Sequence, residues 1–222
     1  MRIVTVCTGN ECRSPAAAQL LRAGLSGVHG LSICSGGVAV ARHAPLCRKM
    51  GKLLDARRLP TRSADEHRSR PITAATLEAA DLVLTAARSH CAEVAQLAPM
   101  VIPRTFTIRD AAGLASFVVS HVAEVSSNGA RLVPGAPPLP PATSSELRIH
   151  WLISEMNEAR GLAAPVPSAG RSLLHPRRQL SDADPDVPDP HAATRVSHTT
   201  AFRLLDGAVD SLAASVKRLL EL

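Results

Sequence analysis

The chain opens on a short apolar run, Ile3-Val4-Thr5-Val6, that passes through Gly9-Asn10 into Ser14-Pro15 and an alanine-rich stretch, Ala16 to Leu25. Residues 2–6 suit a buried strand. Gly9 and Asn10 tolerate the left-handed backbone of a tight turn. Ser14 is expected to cap the following helix and Pro15 to fill its first position, where a missing N–H is no loss. A strand that turns straight onto a helix is the opening of an α/β unit, and such units build parallel sheets covered on both faces.

The alternation continues. Leu31 to Cys34 read as a second strand ending at Ser35-Gly36-Gly37, and Pro45 to Leu54 as a second helix. Asp81 to Thr85 read as a strand, Ser89 to Leu97 as a helix, and Met100 to Thr107 as a fourth strand around Pro103. Near the C-terminus Phe202, Leu205, Val209, Leu212, Val216 and Leu219 recur in steps of three and four. That spacing predicts a helix with one apolar face. The run is under three heptads, so it is expected to pack on the sheet rather than form a coiled coil.

Residues 126–185 break the pattern. Pro134, Pro137, Pro138, Pro140 and Pro141 precede one helical stretch, and Pro165, Pro167, Pro176 and Pro185 follow it. Thr143 and Glu146 have capping-box spacing, Ile149, Leu152, Ile153 and Met156 share a face, and Gly161 is a stop signal. The expected organisation is one α/β domain from 1–125 and 186–222, with 126–185 inserted as a helix on Pro-rich connectors, loosely ordered or acting as a flap.

Composition narrows the partners. Of 222 residues 45% are hydrophobic but only 2% aromatic, with no Tyr, so no aromatic platform can stack nucleobases. The net charge of +6 is spread in short clusters such as Arg57-Arg58 and Arg177-Arg178, a field for anionic esters rather than a nucleic-acid stripe. The longest apolar stretch, Leu114 to Val125, is interrupted by Ser and His and is too short to span a bilayer, so no membrane partner is expected. Five cysteines and no secretion-like leader read as reduced thiols in the cytoplasm. Cys7, Cys12, Cys34, Cys47 and Cys91 form no paired C-x-x-C set, so no zinc, other metal or cofactor is expected. The oligomeric state is not readable.

The segment that carries chemistry is Cys7-Thr8-Gly9-Asn10-Glu11-Cys12-Arg13-Ser14, a C-x5-R loop ending in a hydroxyl. Wrapped at a helix N-terminus, such a loop turns backbone N–H groups inward and forms an anion nest at the positive end of the helix dipole. The same field favours a thiolate over a thiol. Arg13 can offer two parallel N–H donors to a phosphate, and Ser14 can donate to the sulfur.

This stretch, from Val6 to Pro15, resembles the signature of the low-molecular-weight protein-tyrosine-phosphatase family. Cys34-Ser35-Gly36-Gly37, Glu66-His67-Arg68-Ser69-Arg70, Ala80-Asp81-Leu82-Val83-Leu84 and Asp186-Val187-Pro188-Asp189-Pro190 resemble further family segments in the same order. The resemblance covers roughly 1–110 and 184–222. It implies a four-stranded parallel sheet flanked by helices, with Cys7 as nucleophile, Arg13 as clamp and Asp189 as general acid. It implies too that Thr8, Gly9, Asn10, Glu11, Cys12 and Ser14 line the phosphate site, and that Asn10, Ser14, Ser35 and His67 share a hydrogen-bonded network. The implied reaction is hydrolysis of phosphate monoesters, phosphotyrosine protein or a small phosphate ester, through a cysteinyl phosphate.

Asp182, Asp184 and Asp186 rival Asp189 as the acid, but only Asp189 has Val-Pro before it and Pro after it. Three features depart from the family pattern. Glu11 stands where an apolar residue is usual, His191 stands where an aromatic residue is usual, and 126–185 lengthens the chain. Two other functions fit the same loop. Arsenate reduction would need a thiol relay, for which Cys12 and Cys91 are candidates. A non-catalytic phosphate-binding or regulatory module would accommodate both Glu11 and the insertion. Cys12 is also placed to close a reversible disulfide with Cys7 that protects it from over-oxidation.

Overall fold

The computed structural model describes residues 1–58, 66–128, 138–162, 184–192 and 196–222, with the side chains of the helix ending at Asn128 described to Val122. Four strands, β1 (Arg2–Cys7), β2 (Ser32–Gly37), β3 (Leu82–Thr85) and β4 (Thr105–Thr107), form one all-parallel sheet in the order β2-β1-β3-β4. The helices are α1 (Arg13–Gly24), α2 (Arg48–Ala56), α3 (Ala74–Glu78), α4 (Arg88–Leu97), α5 (Ile108–Asn128), α6 (Ser145–Glu158) and α7 (His198–Glu221).

Alternation along the strands sends side chains to both faces. Ile3, Leu82, Leu84 and Phe106 join a large core with α1, α5, α6 and α7. Val4, Val6 and Val83 join a smaller one with Ile72, Leu77, Val94 and Val101. Connections leave β1 toward β2 and return to β3 on the other side. The chain therefore reverses its winding between β1 and β3, and in open α/β sheets the crevice at the carboxyl ends of such strands is where ligands bind. Cys7 is the last residue of β1.

Several local expectations are corrected. Ser14 does not cap α1; Cys12 is the N-cap residue and Ser14 lies inside the helix, its hydroxyl spent on the loop. The expected strand from Met100 is a 3-10 helix, Pro99–Arg104, and β4 begins only at Thr105. Proline cannot donate to a ladder, so pairing starts beyond Pro103. The apolar stretch from Leu114 is part of α5, a 21-residue helix whose Leu114, Val118 and Val119 lie in the main core. No helix among the described residues is long and apolar enough to cross a membrane.

Helix α6 is capped by Ser144, whose side chain accepts from Leu147 N–H, one residue later than the capping box predicts. Its Ile149, Trp151, Leu152, Ile153 and Met156 are buried in the main core rather than held over the site as a flap. Burial of each is worth on the order of 2 kcal/mol. Most of the Pro-rich connectors, with Arg177, Arg178 and Asp182, lie outside the described residues.

Candidate active site

Residues 8–12 connect β1 directly to α1, and the sequence fixes the shape of the link. Asn10 sits at φ 53°, the left-handed region that Asn enters more readily than most residues. Its buried amide then ties three segments together. Nδ2 donates to Ser14 Oγ at 3.0 Å and Ser35 Oγ at 2.9 Å, and Oδ1 accepts from Arg70 N–H at 3.0 Å. His67 Nε2 lies 2.7 Å from the Asn10 carbonyl, so Nε2 carries the proton and the ring is a donor there. Burial lowers the His67 pKa, with Arg70 and Arg68 acting in the same direction. At Gly37 a Cβ would lie 2.5 Å from the Thr8 carbonyl oxygen and 2.9 Å from Asn10 N. Only glycine lets β2 approach the loop this closely.

Cys7 is buried, with Sγ 3.0 Å from Ser14 Oγ. Ser14 has one proton and two acceptors near it, since its Oγ also lies 3.1 Å from the Gly36 carbonyl. With Cys7 as a thiol, that proton serves Gly36. With Cys7 as a thiolate, Ser14 can turn it to the sulfur.

The Arg13 guanidinium is buried beneath the loop. Nη1 donates to the Val187 carbonyl at 3.1 Å, and Nη2 donates to Thr8 Oγ1 at 3.2 Å and to Asp189 Oδ2 at 2.6 Å. Val187 is itself fully buried and its N–H donates to the Ala86 carbonyl at 2.7 Å, at the end of β3. The segment carrying Asp189 is thus pinned to the sheet on one side and to Arg13 on the other. Arg109, buried at the start of α5, adds a donor to the Asp184 carbonyl. Asp189 Oδ1 accepts from His191 N–H at 2.9 Å. Asp186 points elsewhere, accepting from the backbone N–H of Arg88 at 2.8 Å, and Asp184 also pairs with Arg88. Asp182 lies outside the described residues.

Glu11 leans toward Arg42, Oε1 to Nε 3.9 Å, an exposed pair of small energetic weight. Cys12 is buried behind the loop beside Cys47; burial, then the neighbouring Cys47, pushes its thiol up. Cys91 Sγ contacts Thr85 Oγ1 at 3.0 Å, and burial pushes that thiol up as well. All five cysteines are free.

One residue near the loop was not anticipated. His90, in the first turn of α4, places Nε2 2.9 Å from Thr8 Oγ1. Burial, with Arg13 adding to it, pushes its pKa down to about 4, so it faces the loop as a neutral ring. Its only signal in the sequence was position, just beyond the carboxyl end of a predicted strand. A cavity of about 390 Å³ lined by Asp81, Arg104, His150 and Ser154 lies at the opposite end of the sheet from Cys7.

Residues 2–117 match the family described as low molecular weight phosphotyrosine protein phosphatase. The low molecular weight protein-tyrosine-phosphatase Etp of Escherichia coli (strain K12) is 35% identical over 107 residues, 46% of this chain. That match spans 66% of the relative's length, just short of two thirds. Among solved structures, a protein tyrosine phosphatase from Entamoeba histolytica superposes with TM-score 0.58 at 15% identity, covering 98% of this chain and 97% of its own. The tyrosine phosphatase Wzb from Escherichia coli K30, in complex with phosphate, gives TM-score 0.53 at 19% identity, covering 96% of each chain. At these identities the likeness shows a shared fold.

Proposed function

The chain belongs to the low molecular weight phosphotyrosine protein phosphatase family, and on that premise we propose that it hydrolyses phosphate monoesters through a cysteinyl-phosphate intermediate, with phosphotyrosine protein as the substrate class. The observation that carries the reading is the convergence of Cys7, Arg13 and Asp189 on one loop: Sγ beside Ser14, and the guanidinium bonded to both Thr8 and Asp189.

The chemistry follows from that arrangement. Phosphoryl transfer has a loose transition state whose charge sits on the equatorial oxygens, so positioning and neutralisation matter most. Backbone N–H groups of residues 8–13 and the Arg13 fork receive those oxygens. The Cys7 sulfur attacks phosphorus, and Ser14 donates to the sulfur while it is anionic. Asp189, in its acid form, gives its proton to the departing oxygen. The resulting carboxylate then takes a proton from water as that water attacks the cysteinyl phosphate, releasing phosphate and restoring the thiolate. The side chains of Asn10, Ser35 and His67 act on none of the reacting atoms; they hold the loop in its shape.

The arsenate alternative is not favoured. It needs a second thiol to relay from Cys7, and Cys91 is turned onto Thr85 while the matches are to phosphatases. Glu11 is turned toward Arg42 at the surface, which weakens one of the two arguments for a non-catalytic module. The test is turnover of phenyl phosphate and a phosphotyrosyl peptide. Cys7→Ser and Arg13→Ala are each expected to lose roughly 1,000-fold or more, about 4 kcal/mol of barrier, and Cys34→Ser to keep most activity. Full activity in Cys7→Ser overturns the reading.

A further inference from the structure

Behind the phosphate loop, four side chains from four separate segments face one another. Cys12 is the N-cap residue of α1, Cys47 the N-cap residue of α2, His198 the first residue of α7, and His191 lies two residues past Asp189. One donor atom from each, two sulfurs and two imidazole nitrogens, lies within 4.8 Å of all the others. The two imidazoles meet edge to face with Nε2 atoms 3.3 Å apart.

We propose that Cys12, Cys47, His191 and His198 bind one Zn²⁺ as a four-coordinate Cys2His2 site that fastens the outgoing end of the acid loop and the start of α7 to the back of the phosphate loop.

Ligand type, number and spacing agree. Two thiolates and two imidazoles are a standard zinc donor set. Zn–N of about 2.0–2.1 Å and Zn–S of about 2.3 Å put tetrahedral donors roughly 3.3 to 3.8 Å apart. The imidazole pair already has that separation, and the widest pair needs to close by about 1 Å. The backbone holds the sulfurs in register, because Cys47 N–H donates to the Glu11 carbonyl at 2.7 Å, next to Cys12. Both sulfurs belong to N-cap residues, of α1 and α2, so the starts of two helices set their spacing.

Charge also balances. The ion displaces one proton from each thiol to solvent, and Zn²⁺ with two thiolates and two neutral imidazoles carries no net charge. That suits a site with Cys12 buried, Cys47 and His198 half-buried and His191 at the surface. Four protein ligands leave no open position, so the role is structural. Linear spacing gave no sign of the site and led to the expectation of no metal; the fold, not the spacing, assembles the donors.

The test uses the full chain, reduced and stripped with a chelator, then titrated with Zn²⁺ against a colorimetric competitor and separately with Co²⁺. One equivalent of zinc is expected to bind, raising the melting temperature by ~5 °C. Cobalt is expected to give intense visible bands and a thiolate charge-transfer band. Cys47→Ser and His198→Ala should each weaken zinc binding by more than the ~100-fold that loss of an outer-shell partner can cost. Cys7→Ser should leave binding and spectrum unchanged. Should Cys47→Ser fail to fold, His198→Ala carries the measurement. The proposal is overturned if no stoichiometric zinc binds, if cobalt gives only the pale spectrum of six oxygen ligands, if His198→Ala binds zinc as tightly as wild type, or if binding disappears in Cys7→Ser.

Discussion

Arg13 Nη2 and Asp189 Oδ2 stand 2.6 Å apart, so the proposed phosphate clamp and the proposed general acid hold each other. A phosphoryl group entering the loop competes with Asp189 for the same guanidinium. Asp189→Asn therefore has two expected effects of opposite sign. Inorganic phosphate should inhibit several-fold more tightly, because Arg13 loses an ionic competitor. Turnover of phenyl phosphate should fall ~100-fold or more, the low end of the range for general acid catalysis. A nitrophenyl ester, whose oxygen needs little protonation, should lose much less. Asp186→Asn, which acts on Arg88, should change either rate only mildly. Equal, mild losses for both variants would place the acid elsewhere.

Asn10 is the keystone of the loop. Asn10→Ala removes two donated hydrogen bonds and one accepted bond, leaves the Arg70 N–H unpaired and sets an alanine at φ 53°. The expected loss is about 3 kcal/mol in urea unfolding, with activity falling in parallel. Ser35→Ala removes one of those bonds and should cost about 1 kcal/mol. Similar midpoints for Asn10→Ala and wild type would show that the network carries no stability.

Two glycines separate loop geometry from general tolerance. In Gly37→Ala the new Cβ meets backbone atoms of Thr8 and Asn10 at 2.5 and 2.9 Å, so the phosphate loop must move. Activity should drop at least ~10-fold, in line with the rate cost of misplacing a positioned group. In Gly51→Ala, within α2, the nearest atom is 3.7 Å away and the helix gains propensity. That variant should be as active as wild type and more stable by about 0.5–1 kcal/mol.

His90 gives stability an acid limb. Its pKa drops from 6.5 to about 4 on folding. Between those values the unfolded chain takes up a proton that the native chain refuses, so stability falls as pH falls through that window and levels off below it. The loss is on the order of 3 kcal/mol. His90→Gln should flatten this limb in unfolding curves taken from pH 7 to pH 4. An unchanged limb would assign the acid sensitivity to other groups.

The site was legible in the sequence where its residues are contiguous. Cys7 through Ser14 sit between one strand and one helix, and it is those residue types in that setting that propose an anion nest. The parallel sheet was equally legible, since β1 and β3 are short apolar runs bounded by turns. Prolines explain the misreading near β4: Met100 and Val101 look like strand residues, but Pro99 and Pro103 hold them in a 3-10 helix. Ser14 looked like a cap because its type favours caps, yet its hydroxyl is drawn to Gly36 and Cys7. His90 and the grouping of Cys47, His191 and His198 were hidden because they depend on where separate helices begin in space.

The anchoring of Val187 to Ala86 and of Asp184 to Arg109 has a consequence for the order in which the site assembles. Ala86 follows β3 and Arg109 lies at the start of α5, so both anchors sit far back along the chain from the segment they hold. Contacts of such long sequence separation close later than local ones. Cys7 through Arg13, joined to β1 and α1 on either side, take shape before Asp189 arrives beside Arg13.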